Sequence, residues 1–408
     1  MKGSDGKLLT ITVLESVIRQ TGIYASSRKG RLSVFWGDQV FLPTAAFATA
    51  PTHHADILCT LLGETAPTAE EWTAQGLDKY GVIAVVGEAN SNGKPLEAAQ
   101  VEKVSHETAT SMLGSLGEIR QVGPSLGSFS VSSVFLEALC TEFTTELTEK
   151  TAKFDTDPHF WMPLTLPEDS YISLMKQKGT DEAESKAHFD RMAGMKTSFQ
   201  KATSESNMGL FGAVDVGKNA CWWDYGQLKL YSTNTRLLLE NSPSADLLLD
   251  FLGLSKGTRV YESLLSSATV DGSSYAFLSK VGGGSIENSL LTRVAAPVVK
   301  AKGAIIVNCA STKCIEAGEG AILCNIIDEK GEGIVAAPGE VRVGVTDEAG
   351  VSSLLNSRMD IDGGKAWKIQ LEMNDLSFES VHKNNKNANI GEISSKRTEK
   401  YEAVAASF

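Results

Sequence analysis

The sequence predicts an α/β chain in two parts, a sheet-and-helix domain followed by a smaller β-helix-like domain. Three observations carry this. Up to about residue 242, short apolar strands alternate with amphipathic helices, the pattern of a sheet covered by helices. Beyond Pro243, β-branched runs punctuated by glycine take over, and two of them repeat at a spacing of 17 residues. The length, 408 residues, with 42 % hydrophobic and 22 % charged residues, is that of a globular chain able to bury its core without disulfides.

The first element reads as a helix. Thr12 caps it, Glu15 completes a capping box, Val13, Leu14, Val17 and Ile18 keep helical spacing, and Gly22 ends it. Leu32, Val34, Phe35 and Trp36 then form a strand stopped by Gly37 and Asp38. Strands follow at 81–86 and about 99–104. Residues 127–131 form a strand running into a helix capped by Ser132 or Ser133. On that helix Phe135, Leu139, Phe143 and Leu147 recur every fourth residue as one buried stripe. Such alternation argues for a largely parallel sheet.

Residues 151–201 break the rhythm with Asp155-Thr156-Asp157-Pro158-His159-Phe160-Trp161-Met162-Pro163 and a charged helical stretch. They read as an insertion or lid whose aromatics pack. The sheet resumes at 209–216 and 221–224, and a helix runs through Tyr231, Leu237 and Leu238. In the second domain, Gly303-Ala304-Ile305-Ile306-Val307-Asn308 recurs as Gly320-Ala321-Ile322-Leu323-Cys324-Asn325, and Ile286-Glu287-Asn288-Ser289-Leu290-Leu291 is a looser earlier copy. A repeat of this length fits one β-helix coil of three short parallel strands with asparagine at the corners; a β-sandwich is the alternative. Residues 379–408 are polar, rich in lysine and asparagine, and expected to fray. The domains are therefore 1–242, 243–378 and a tail, 379–408.

A net charge of −12 disfavours nucleic acid and anionic membrane as partners, since both need a basic footprint. A local basic pocket for a small phosphate ligand stays open. The longest apolar runs, such as 303–309, fall short of the ~20 residues that cross a bilayer, and no signal-peptide pattern opens the chain. Cys59, Cys140, Cys221, Cys309, Cys314 and Cys324 contain no Cys-x-x-Cys pair. They read as reduced, buried, structural thiols, which points to the cytoplasm or another reducing compartment such as a plastid stroma. The scattered histidines suggest no metal site.

Taken singly, the polar candidates are ordinary. Asp38 fits a turn after Gly37, Glu102-Lys103 fits a solvated pair, and Asp224 fits the start of a helix. Their order along the chain is informative: Gly37-Asp38, Tyr80-Gly81-Val82, Val101-Glu102-Lys103, Gly127-Ser128-Phe129-Ser130-Val131-Ser132, Trp223-Asp224-Tyr225-Gly226, and then the repeats. Across residues 8–345 this series resembles the sugar-1-phosphate nucleotidyltransferases, whose hallmarks are a Gly-Asp after a strand, a Tyr-Gly-Val strand, a Glu-Lys pair, an Asn-x-Gly-aromatic strand and a Trp-x-Asp-x-Gly turn.

The resemblance implies a Rossmann-like, GT-A-type mixed sheet with helices on both faces and a left-handed parallel β-helix, a tail that commonly supports homo-oligomers. It implies that a sugar-1-phosphate oxygen attacks the α-phosphorus of an NTP and pyrophosphate leaves, with Mg²⁺ neutralising phosphate oxygens. By resemblance Asp38 and Asp224 hold the metal, which suits hard oxygen ligands. Lys103 meets the sugar phosphate, and Glu102 accepts hydrogen bonds from sugar hydroxyls. Gly127 lets the sugar approach the backbone, and Gly81 and Ser125 complete the sugar pocket. Two departures stand out. The family's opening strand and Gly-x-Gly-Thr-Arg loop are not matched by Met1-Lys2-Gly3-Ser4-Asp5-Gly6-Lys7, and Ser125 replaces the usual asparagine. Two expectations follow, an active nucleotidyltransferase or a catalytically silent relative that binds a nucleotide sugar or serves as an assembly subunit. A hexapeptide-repeat acyltransferase would need a histidine on the coil edge, and residues 255–345 contain none.

Overall fold

The computed structural model describes residues 30–42, 50–63, 65–87, 95–149, 154–217, 221–361 and 363–408. The helix expected from Thr12 to Gly22 lies outside them. Contacts divide the chain into two compact units, whose described parts are 30–222 and 223–408. The first is mixed α/β with a Rossmann-like mixed sheet, and the second carries a parallel β-solenoid.

The first unit contributes strands β1 (Arg31–Val34), β2 (Gln39–Leu42), β3 (His53–Cys59), β4 (Gly81–Val86), β5 (Ala98–Glu102), β6 (Ile119–Ser132) and β7 (Gly209–Asp215). The sheet order is β5-β4-β6-β3-β7, with β1 also on β6. β2 forms a separate ribbon with β8 (Cys221–Asp224). The expected largely parallel sheet does not form. Only β3 and β7 run parallel, while β4–β5, β4–β6, β3–β6 and β1–β6 are antiparallel. The cause is β6, a strand of 14 residues of which the sequence pattern marks only the last third. Its length makes it the shared neighbour of β1, β3 and β4, so the helix His106–Gly114 between β5 and β6 joins strands that are not adjacent.

Helices cover both faces, as alternation along β4 requires. Ile83 packs with Trp161, Met192 and Phe199 on one side. Val82, Ala84 and Val86 pack with Trp72, Leu113 and Tyr171 on the other. The 151–201 segment supplies much of this cover through helices Glu168–Gln177 and Glu182–Ala202, the second capped by Asp181. Its aromatics pack as expected, Trp161 edge-on against Phe129 and Phe160 against Phe143. The stripe after Ser132 is shorter than its spacing implied. The helix stops at Glu142, a second begins at Thr144, and Leu147 is 57 % exposed.

At the sheet's centre lies a buried ion pair. Arg31 reaches from β1 to Asp56 on β3 at 3.1 Å, with both side chains almost wholly enclosed. The guanidinium also donates to the carbonyls of His54 and Ser130 and to the Ser130 hydroxyl.

β6 is also interrupted midway. Ile57 pairs with Phe129 but Cys59 with Ser125, so β6 bulges between them, and Gly127 adopts φ 72° there. β1 lies along the end of β6, with Val34 opposite Phe129, and β4 along its beginning, with Val82 opposite Pro124. Because β3 holds the other edge, β1 and β4 share one edge and part at the bulge. The two strands thus diverge at their ends, and strand ends are where open α/β sheets place ligands.

In the second unit, helix Pro243–Leu252, capped by Ser242, precedes the coils, which start at Val260 rather than at residue 243. The solenoid makes about 5 turns. Ile305 stacks on Ile322 and Ile322 on Val341, so the 17-residue repeat is one true coil. The looser copy is out of phase by two: Leu290, not Asn288, lies under Ile305. Two columns of left-handed backbone mark the corners. One is Glu262, Leu278, Arg293, Asn308 and Asn325; the other is Asn288, Gly303, Gly320 and Gly339. Asparagine and glycine are the residues that tolerate this conformation best, and Asn308 donates to Asn325 across one coil at 2.7 Å. Buried serines extend the ladder, since Ser274 and Ser289 hydroxyls accept the N–H groups of Ser289 and Ala304 one turn on.

Strand Ser352–Arg358 returns antiparallel on Glu340–Thr346. The tail expected to fray instead forms helix Ile390–Ala405, which lays Tyr401 and Val404 on Ala295 and Ala310. Its apolar residues are few but share one face, and the solenoid wall supplies the partner. All six cysteines are free; Cys59 and Cys309 are buried, whereas Cys140, expected inside, is exposed. Among the described residues no helix is long and apolar enough to cross a membrane.

Candidate functional site

The crevice between β1 and β4 gathers most of the residues singled out from sequence. Gly81 opens β4 and pairs with Glu102 at the end of β5. Ser125, in the bulge of β6, is buried, accepts the Gly127 N–H at 3.1 Å, and lies against Gly81. Gly127 is required by its positive φ and by Trp36, whose indole occupies the space any side chain would take. Trp36 is 40 % exposed and precedes the Gly37-Asp38 turn between β1 and β2, where Asp38 is exposed. Trp222 draws the same region together by donating to Gln39 at 3.0 Å and packing edge-on against Tyr80.

Glu102 and Lys103 carry the charge. The Glu102 carboxylate is shared, with Lys103 at 2.9 Å and Lys178 at 3.1 Å. Burial pushes the Glu102 carboxyl up, but the two ammonium groups outweigh it and hold it below its usual value. The hydrogen bond to Glu102 raises the Lys103 ammonium in turn, so it stays charged. Lys103 sits at φ 55°, left-handed for a side-chain-bearing residue, and its N–H donates to the Tyr80 carbonyl. Strain of this kind concentrates where function fixes a side chain. Lys103→Gly is therefore expected to be about 1 kcal/mol more stable than Lys103→Ala, both lacking the ammonium. Urea midpoints that rank alanine above glycine would show the backbone there to be relaxed.

Three contributors escaped sequence reasoning. Lys178 caps the helix Glu168–Gln177, 76 residues from Glu102. Gln100 on β5 is 0 % exposed, and its Oε1 has no hydrogen-bond partner. Asp157 comes from the 151–201 segment. Its Oδ2 and the Gln100 Nε2 each lie 3.1 Å from where a Gly81 side chain would begin. Burial and the Glu102 charge push the Asp157 carboxyl up to about 6, against the pull of Gln100, Lys103 and Lys178. The available signal was Asp157 itself, a carboxylate among aromatics in a segment otherwise devoted to packing.

Asp224 ends β8. Its Oδ1 accepts the Gly226 N–H at 2.7 Å and its carbonyl accepts from Asn234, an Asx turn leading into helix Leu228–Arg236. Asp38 and Asp224 are the oxygen donors Mg²⁺ takes, and Mg²⁺ needs only one or two protein carboxylates. Among the described residues no three histidine, cysteine or acidic side chains cluster to form a metal cage.

No protein-family model matches the chain, and no curated protein is significantly similar to it.

Proposed function

We propose that this chain is a nucleotidyltransferase-like protein that joins a sugar-1-phosphate to an NTP and releases pyrophosphate, built on a GT-A-type sheet with a left-handed β-helix. The supporting observation is the grouping of Gly81, Glu102, Lys103 and Ser125 in one crevice at the strand ends, with Lys178 adding a second cation. Lys103 and Lys178 offer ammonium donors to a phosphate, while the Glu102 carboxylate suits a hydroxyl-rich ring. Asp38 and Asp224 would hold Mg²⁺, which supplies charge neutralisation for the phosphates. Partners are small molecules, and the solenoid wall is a surface for self-association.

The test is pyrophosphate release from a panel of sugar-1-phosphates and NTPs with Mg²⁺. We expect turnover with at least one pair, a drop in kcat/KM of about 10- to 100-fold in Lys103→Ala, and loss of activity when Asp38 and Asp224 are both alanine. Activity that survives the double substitution removes the metal assignment. A second reading, a silent nucleotide-sugar-binding relative, is favoured by the Trp36 indole lying on Gly127, where the resemblance expects sugar. Calorimetry that detects nucleotide-sugar binding without turnover would select it.

A further inference from the structure

We infer that Asp157 is a specificity-determining residue of this crevice, its carboxylate accepting a hydrogen bond from a hydroxyl of the bound sugar beside Glu102. The inference rests on the sugar-phosphate reading above. Asp157 is delivered from outside the sheet to the one point where β4 has no side chain. Its Oδ2 stands 3.1 Å from the missing Gly81 side chain, as does the Gln100 amide. Gln100 is fully enclosed and neither its Nε2 nor its Oε1 has a hydrogen-bond partner, so the group behind Asp157 leaves its carboxylate with accepting capacity to spare.

The neighbours decide what Asp157 can bind. Both nearby cations, Lys103 and Lys178, are bonded to Glu102 rather than to Asp157. A divalent cation is disfavoured beside two ammonium groups, and a phosphate is repelled by the carboxylate. A hydroxyl suits it, because it is neutral, donates a hydrogen bond, and relieves the repulsion between Asp157 and Glu102. The groups facing Asp157 are Gln100, Glu102 and Lys103 from β5 and the turn after it, and Lys178 from the helix cap. With its carboxyl pushed up to about 6 by burial and Glu102, Asp157 is mostly protonated at pH 5 and ionised at pH 8. A hydroxyl donor favours the ionised form, so its contribution grows as pH rises through that value.

The experiment compares wild type with Asp157→Asn, an isosteric change checked for folding by circular dichroism, using calorimetry with a sugar-1-phosphate and with inorganic phosphate at pH 5 and pH 8. The expected result is that Asp157→Asn weakens sugar-phosphate binding about tenfold at pH 8 and less than threefold at pH 5. Inorganic phosphate should bind the variant as well as or better than wild type at both values. Comparing variants for one ligand cancels the titration of the phosphate itself. If wild type binds sugar phosphates and Asp157→Asn binds them equally well or better at pH 8, the role of Asp157 is overturned while the crevice reading stands. If wild type binds neither sugar phosphates nor phosphate, the proposed function fails and this assignment falls with it.

Discussion

Gly284→Ala is expected to destabilise the solenoid by about 2–5 kcal/mol, through a strained backbone and a collision that add. Gly284 lies inside strand Lys280–Glu287 with φ 114°, outside the range side-chain-bearing residues adopt. A methyl group there would start 1.9 Å from the Val299 carbonyl oxygen on the next coil. That carbonyl belongs to a parallel ladder in which Gly284 pairs with Ala268 on one side and Val299 on the other, so it cannot retreat without breaking register on both. Gly339→Ala is the control, because it shares a positive φ but has open space around it and should cost only about 1 kcal/mol. Hydrogen exchange across the solenoid strands reads both. Equal protection in the two variants would mean that the coil contour yields and the collision is relieved.

Removing Asp56 should cost about 3–5 kcal/mol, because it takes away the carboxylate that meets the Arg31 guanidinium inside the sheet. The carbonyls of His54 and Ser130 and the Ser130 hydroxyl also accept from it, but these groups carry no charge. Replacing both partners by apolar residues of similar volume, Arg31→Met with Asp56→Leu, should be much less harmful than the sum of the single changes. A double-mutant cycle in denaturant measures the coupling, and additive losses would show that the pair does not act as one unit.

Elements whose residues face the core at a regular interval were readable before the structure. β4 matches the apolar run 81–86, β8 the run 221–224, and the coil length follows from Ile305 and Ile322. Strand direction was not readable, because it depends on β6, whose first half, Ile119 to Pro124, sets Arg120, Gln121 and Gly123 around Ile119 and Val122 and shows no regular apolar alternation. The crevice was half legible. Glu102 and Lys103 are adjacent in sequence, whereas Asp157, Gln100 and Lys178 become neighbours only when the helical segment folds over β5. The tail misled because Tyr401 and Val404 are sparse in a polar stretch, and their partners, Ala295 and Ala310, lie on another element.

The two corner columns divide every coil unequally. From Asn288 to Arg293, Gly303 to Asn308 and Gly320 to Asn325 the step is always five residues, whereas the return from Leu278, Arg293, Asn308 and Asn325 to the next corner takes 10, 10, 12 and 14. Extra residues have therefore accumulated on one flank only, beside Asp328, whose carboxylate ties the Glu332 and Gly333 amides back to the wall. That flank is where a foreign peptide could be grafted without disturbing the stack, while the five-residue flank acts as a fixed ruler that no graft can lengthen.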